Sequence, residues 1–222
     1  ADLLINALVA GLLLGCFYAA VTVGISISFG ILDIVNIAHP AFVILGSYIA
    51  YILNTRFGVD PIVVSIVMLP VFYALGALVY QVYYESFERR GREALSGLAF
   101  FFGVLFVTEV VLIIVFGVDY RYVDASYIGP TLRFGFVDLP LRMLVPCVAA
   151  LLLFAALQLF LTRTFMGRAI MAVAQDQLAL QLMAASPTRI KRMAFAISIA
   201  TSTAEAFAIA AKSGLSLRKL LE

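Results

Sequence analysis

The sequence predicts an all-α, polytopic transmembrane helical bundle of about six membrane segments, on the grounds of composition, run length and charge placement. Hydrophobic residues make up 64% of the 222 positions and charged residues 13%, a balance that a water-soluble domain could not hide in one core. Several apolar runs reach the ~20 residues that a helix needs to cross the hydrocarbon core. Membrane lipid is therefore an expected partner. The formal net charge is only +2, so nucleic acid is not expected as a partner.

The first apolar run, residues 3–32, is longer than one straight crossing requires, and Gly24 and Gly30 interrupt it. We therefore predict one crossing over residues 3–23, followed by a broken or re-entrant segment near residues 24–40. Gly24 and Gly30 are the predicted hinge or kink positions.

Polar residues follow this run at residues 33–40, Asp-Ile-Val-Asn-Ile-Ala-His-Pro. A helix broken inside the bilayer leaves backbone groups to be satisfied, so Asp33, Asn36 and His39 are candidates for lining a substrate pathway. Capping of the free backbone is slightly favoured over direct contact with a solute. His39 is the only histidine, and no carboxylate lies beside it in sequence, so a hydrogen-bonded structural role is favoured over proton relay.

Further apolar runs predict the remaining segments, at residues 41–53, 61–84, 95–116, 143–161 and 193–211. The run at 41–53 is too short to cross alone and is expected to continue the broken region. Glu109 and Glu205 lie inside two of these runs, where an ionisable group costs roughly 2.5–3.5 kcal/mol on insertion scales. Each should face protein or water, as a pathway residue or as a polar contact between helices.

Basic residues indicate which loops face the cytoplasm. Residues 85–93 and 163–192 carry most of the Lys and Arg, and two spans separate these loops, so both are predicted to lie inside. The loop 117–142 is then predicted to lie outside. The chain shows no linker or change of composition that would divide it, so we treat residues 1–222 as one membrane domain.

The inside loop, residues 163–192, is far longer than a turn requires. A helix over residues 168–185 would carry apolar side chains on both sides, and Pro187 disfavours helix just before it. Such a helix fits between the membrane domain and a second protein. Periodicity alone favours equally an amphipathic helix on the lipid surface.

Small residues in the first run predict close helix packing. Gly11 and Gly15 form a Gly-x-x-x-Gly pair, which lets another helix approach closely, within this chain or in a paired subunit. Cys16 and Cys147 lie far apart in sequence and within apolar runs, where a thiol behaves as a small hydrophobe.

Three stretches in the same order resemble one family. The first begins with Gly-Leu-Leu-Leu-Gly-Cys-Phe-Tyr-Ala-Ala at 11–20 and continues with Phe-Gly-Ile at 29–31, Asn-Ile-Ala-His at 36–39 and Gly-Ser-Tyr at 46–48. The second is Phe-Gly-Val-Asp at 116–119. The third begins with Gly-Arg-Ala-Ile-Met-Ala-Val-Ala-Gln-Asp at 167–176 and continues with Ala179, Arg-Ile at 189–190 and Ala-Phe at 194–195. Together they resemble the permease subunits of branched-chain amino acid ABC importers.

This resemblance implies a subunit of an ATP-driven importer in the plasma (inner) membrane of a bacterium or archaeon, forming the pathway for branched-chain or related amino acids. The implied partners are a second permease subunit, two cytoplasmic ATPases and a periplasmic or extracellular substrate-binding protein. ATP and Mg²⁺ would be held by the ATPases, since this chain has no phosphate-binding loop ending in Lys-Ser or Lys-Thr, and no cofactor or metal is expected on it. The chain is not expected to be an enzyme.

The resemblance also implies that the cytoplasmic loop holds a coupling helix seated in an ATPase. The coupling candidates along it are Arg168, Asp176, Ala179, Leu182, Ala184 and Arg189. The chain departs from the family pattern at several places: Ala184 stands where Gly is usual, Met171 and Gln175 stand where a basic residue and Glu are common, and the final spans of the family are not included.

Two other functions remain open from the sequence. The same permease scaffold serves urea or short amides within the family, and a secondary carrier or channel could couple to protons through Glu109, His39 and Glu205. A membrane anchor without transport function is a third, weaker hypothesis, which predicts that neutralising Glu109 and Glu205 leaves uptake unchanged.

Overall fold

The computed structural model describes residues 2–32, 34–91, 94–117, 131–134, 137–176, 181 and 186–213. The helices are α1 (Asp2–Ser26), α2 (His39–Phe57), α3 (Pro61–Ser86), α4 (Ala94–Phe116), α5 (Leu141–Arg163), α6 (Phe165–Gln175) and α7 (Pro187–Ser213), with a π-helical turn at Ile27–Ile31 and a 3₁₀ turn at Glu88–Arg90. The chain is therefore a helical, membrane-type protein, as predicted. Three described helices are long and apolar enough to cross a bilayer, at Pro61–Arg90, Leu95–Phe116 and Met143–Arg163.

Local chemistry sets the boundary between α2 and α3. Gly58 ends α2 with a positive φ of 65°, a conformation that an L side chain rarely adopts. Asp60 then begins α3, because its Oδ1 accepts a hydrogen bond of 2.8 Å from the amide of Ile62, and Pro61 occupies the first helical position, where no amide donor is needed.

Helix α7 lies at the centre of the bundle and packs against α1, α2, α3 and α5. It approaches α3 closely at Gly76, where an added Cβ would stand 2.9 Å from Cα of Ala196. A larger residue at Gly76 would therefore separate the two helices. An aromatic cluster made of Tyr80, Tyr83, Phe101 and Phe195 joins α3, α4 and α7.

The connection between α1 and α2 is irregular, within the range predicted to be broken. Helical geometry continues through Gly24, changes to a π-helical turn that includes Gly30, and stops at Leu32. Residues 34–36 have no regular structure, and α2 begins at His39. Single π-turns inside α-helices occur often at functional sites.

The predicted continuous helix over residues 168–185 is wrong. Helix α6 begins earlier, at Phe165, because Oγ1 of Thr164 accepts from the amide of Gly167 at 3.0 Å. It ends at Gln175, and Asp176 has extended backbone with φ −154° and ψ 103°. Aspartate competes with helix by bonding its own backbone neighbours, which explains an end at this position. The buried face of α6 carries Ile170 and Val173, whereas Met171 is 40% exposed.

A short hairpin lies in the segment that was predicted to be an outer loop. Strands β1 (Thr131–Phe134) and β2 (Val137–Pro140) pair antiparallel, with Thr131 opposite Pro140 and Phe134 opposite Val137. Two strands this short give no strong periodic signal, so the sequence did not predict them.

Candidate functional site: a buried polar cluster between α1, α2 and α7

Glu205 lies at the centre of a polar cluster that is sealed inside the helical bundle. Its side chain on α7 has no exposed surface, and neither has that of His39 at the start of α2. Nε2 of His39 lies 2.8 Å from Oε2 of Glu205. The amide of Gly24 on α1 donates to Oε1 at 3.1 Å, and Oγ1 of Thr201 lies 3.4 Å from the same oxygen. One carboxylate therefore joins three helices.

Two serines extend the cluster towards the start of α7. Oγ of Ser198 donates to the carbonyl of Gly24 at 2.6 Å, and Oγ of Ser28 lies 2.7 Å from Oγ of Ser198. A hydroxyl has one proton to donate, so Ser28 is the donor in the second contact. Both serines are fully buried, and their hydrogen bonds offset the cost of placing hydroxyls in an apolar interior.

Glycine is needed at position 24 because side chains of α2 and α7 approach it closely, not because of its backbone conformation. A Cβ added there would stand 2.4 Å from Cε1 of His39, 2.5 Å from Oγ1 of Thr201 and 2.7 Å from Oε1 of Glu205. Its backbone amide and carbonyl both bind side chains of α7. The hinge role predicted for Gly24 stays a prediction, and its described role is to let the backbone of α1 reach the cluster.

Some buried polar atoms near the cluster have no hydrogen-bond partner within the described residues. They are Nδ1 of His39 and both side-chain atoms, Oδ1 and Nδ2, of Asn36, whose residue is 1% exposed. An unpaired buried amide costs about 1–3 kcal/mol, so such atoms mark a place where a ligand or a second conformation can supply the missing bonds. Asn36 lies in the irregular connection, where a pathway residue was predicted.

The other predicted site residues that the structure describes take no part in this cluster. Glu109 is half-buried on α4, and no hydrogen bond or ion pair joins it to another described residue. Gly11, Gly15 and Gly30 have no atom within 4 Å of an added Cβ, so no helix packs closely on them within the described chain. The described coupling candidates Arg168, Asp176 and Arg189 are exposed, whereas Asp33, Ala179, Leu182 and Ala184 lie outside the described residues.

Sequence reasoning missed the serines and threonines of α7. Ser198, Thr201, Ser202 and Glu205 are spaced by three, four and seven residues from Ser198, which places them on one face of the helix, and all are buried. This periodic polar stripe within an apolar run was the signal that could have found them. The contact of Glu205 with His39 could not be predicted, because 166 positions separate the two residues.

A second polar cluster joins α3 to α7 at the ends that carry the basic loops. Nζ of Lys191 donates to Oε1 of Glu88 at 2.8 Å, and the hydroxyl of Tyr80 donates to Oε2 of the same carboxylate at 2.8 Å. Arg192 donates to Oε1 of Gln81 at 3.0 Å. The contact between Lys191 and Glu88 places the two basic loops on the same side of the bundle, as the positive-inside rule predicted.

A third contact joins α1 to α5. Cys16 and Cys147, far apart in sequence, lie within hydrogen-bonding reach of each other, and both thiols are free. Here they act as small side chains that fill the helix interface.

Comparison with known proteins gives a consistent result. Residues 7–215 match the profile of a family described as the permease component of branched-chain amino acid transport systems. The chain is also 28% identical to the high-affinity branched-chain amino acid transport system permease protein BraD of Pseudomonas aeruginosa, over 94% of this chain and 71% of that protein. No solved structure matches the chain.

Proposed function

Since the chain belongs to the family of branched-chain amino acid transport permeases, we propose that it is the membrane subunit of an ATP-driven importer and forms the pathway for branched-chain or related small amino acids. The observation that carries this proposal beyond family membership is the sealed polar cluster around Glu205, at the place where the first helix is interrupted. Polar groups at a broken membrane helix are the usual way in which transporters hold a polar solute near the middle of the bilayer.

The contacts with α7 support a re-entrant path between α1 and α2. Ser28 meets Ser198 and His39 meets Glu205, whereas Gly24 meets both of these residues of α7. Seven positions on a helix correspond to about 10 Å. The chain therefore runs back along α7 by about this distance between Ser28 and His39. Counting this excursion together with the start of α2 as one broken segment leaves about six membrane segments.

The cluster offers a mechanism for a sealed resting state. Glu205 binds Nε2 of His39, and Gly24 fixes α1 against Glu205, so no solute can pass between these helices. Movement of α7 would separate the carboxylate from the imidazole. The exposed groups, together with the unpaired amide of Asn36, would then face an amino acid whose ammonium and carboxylate can bind them.

The ATPases are proposed to act through the cytoplasmic segment. Helix α6 buries Ile170 and Val173 against the membrane domain and leaves Phe165, 81% exposed, on its outer side. A large exposed apolar residue on an inside loop suits a docking surface for a second protein. A second permease subunit and an external binding protein complete the proposed assembly in a bacterial inner membrane.

Affinity purification of the tagged chain from its native membrane tests this proposal. We expect a stable complex that contains a second permease and ATPase subunits, whose ATP hydrolysis rises when leucine and the binding protein are added. Purification of the chain without any nucleotide-binding protein, together with unchanged hydrolysis in a mixture of the candidate subunits, would contradict it.

A proton-coupled carrier is the second candidate function, and the direct contact between His39 and Glu205 is the observation that favours it. A buried imidazole beside a carboxylate can pass a proton. It predicts substrate-dependent proton flux in proteoliposomes that lack any ATPase. If such flux is absent while the full complex transports leucine, this candidate is excluded.

A further inference from the structure

A continuous groove runs along α1 and α5 to α6, on the side of α1 opposite the polar cluster. One part, of about 300 Å³, lies between α1 and α5, and a second part, of about 260 Å³, reaches α6. Both parts share Gln158 and Leu161, which makes them one groove. Volumes of this order are in the range of sites for small molecules.

The walls of the groove are mostly apolar. Val23 and Ile27 of α1 face Phe154, Leu157 and Leu161 of α5. Such a lining suits an aliphatic side chain, because burial of each CH₂ group contributes about 0.8 kcal/mol. No Asp, Glu, Lys, Arg or His contributes to the described lining of either part, so the groove is suited to a solute without net charge.

The hydroxyl groups that line the groove all present hydrogen-bond acceptors to it. Thr22, Ser26 and Thr162 each donate their hydroxyl proton to a carbonyl of their own helix, at 2.9, 2.7 and 2.7 Å. Their oxygens therefore retain only acceptor capacity towards the groove. Gln158, exposed on α5, adds an amide that can both donate and accept.

From these features we infer that this groove is the cytoplasmic part of the solute pathway and binds a zwitterionic amino acid with an aliphatic side chain. The acceptor oxygens of Thr22 and Ser26 receive the ammonium group, Gln158 donates to the carboxylate, and the apolar walls take the side chain. This inference rests on the proposed function and adds a site to it. Gly24 and Ser28 of α1 belong to the cluster, while Thr22, Val23 and Ser26 face the groove, so a solute here touches the helix that the cluster holds in place.

Thiol labelling tests this site directly. In the assembled complex in proteoliposomes, with Cys16 and Cys147 replaced by Ala, Ala19→Cys and Thr162→Cys are compared with Phe106→Cys. Ala19 and Thr162 line the groove but hold neither charged group of the solute. Phe106 is 57% exposed on α4 and lies outside the groove, so it serves as the matched control. The probe is a positively charged methanethiosulfonate reagent added on the ATPase side.

We expect both groove positions to react and the control to stay unreacted, because only the groove admits water. Leucine at ten times its dissociation constant should slow the reaction about tenfold, since occupancy shields the thiol. Groove thiols that react no faster than the control would show that lipid or a second permease fills the groove, and would overturn the inference.

Leucine uptake by the unmodified complex is measured in parallel and separates the two claims. Absence of that uptake would overturn the proposed function itself. Groove thiols that react without protection, in a complex that does transport leucine, would overturn only the assignment of the groove.

A blocking variant gives an independent readout. Gly30 lines the groove near α6, and Gly103 lies on α4; neither has an atom within 4 Å of an added Cβ, so both accept a side chain without a clash. Gly30→Leu should abolish most leucine uptake while the complex still assembles, and Gly103→Leu should leave uptake at the parent rate. Equal uptake by the two variants would contradict the inference.

Discussion

At the scale of residues, the protein depends on a few buried polar contacts between distant parts of the chain. Glu205 could be recognised from the sequence as an ionisable residue that must face protein or water, and it does face protein. Its partners could not be recognised, because His39 and Gly24 lie 166 and 181 positions away. For the same reason Gly24 was read as a hinge, although its described role is to leave room for the three side chains around it.

Gly24→Ala should destabilise the protein strongly. The added Cβ would overlap atoms of His39, Thr201 and Glu205, and overpacking of a filled interior costs about 1–3 kcal/mol. The measurement is thermal unfolding in detergent, with Gly30→Ala as the control, because nothing lies near a Cβ at that position. A melting temperature for Gly24→Ala equal to that of the control would refute the described packing.

The contact between His39 and Glu205 should appear as an energetic coupling. Glu205→Leu leaves the imidazole and the amide of Gly24 without an acceptor, and loss of one partner of a buried pair costs about 3–5 kcal/mol. Contacting residues show coupling of about 0.5–3 kcal/mol, so His39→Leu should cost less free energy of unfolding in the Glu205→Leu background than in the parent. Additive effects of the two substitutions would mean that the side chains do not interact.

At the scale of elements, the long apolar helices were predicted well and the helix of the long basic loop poorly. The predicted run 95–116 agrees closely with α4, and the predicted run 61–84 with α3, because length and hydropathy alone determine such helices. In the long basic loop, helix capping sets the bounds instead. Thr164 caps α6, which begins at Phe165, three residues before the predicted start, and Asp176 ends it within the predicted range. The hairpin at Thr131–Phe134 and Val137–Pro140 was missed because its strands are too short for a periodic signal.

Helix α6 should show two faces with different functions. Phe165→Asp changes an exposed position, and we expect an assembled complex in which ATP hydrolysis no longer drives uptake, because the docking surface is lost. Ile170→Asp changes a position that is 1% exposed, and we expect misfolding instead, because it buries an unpaired charge. The measurements are yield of folded complex and the ratio of solute imported to ATP hydrolysed. Coupled uptake by Phe165→Asp at the parent ratio would remove the docking argument.

At the scale of the whole molecule, α7 links the end of the bundle that carries the basic loops, where the ATPases are proposed to act, to the polar cluster around Glu205. Lys191 near its start is paired with Glu88 of the other basic loop, and Glu205 further along holds α1 and α2 together. The sequence could predict the membrane class from composition, and from charge that the two basic loops share one side of the bundle. It could not predict that one helix carries both clusters, because the partner of each lies on another helix far away in sequence.

The central claim is that ATP hydrolysis by partner subunits drives amino acid import through this chain, and uptake of radiolabelled leucine into proteoliposomes tests it most directly. The account predicts uptake that requires Mg-ATP on the ATPase side together with the binding protein outside, and that persists when the proton gradient is collapsed. Uptake by this chain in vesicles without ATPases, driven by a proton gradient alone, would contradict it.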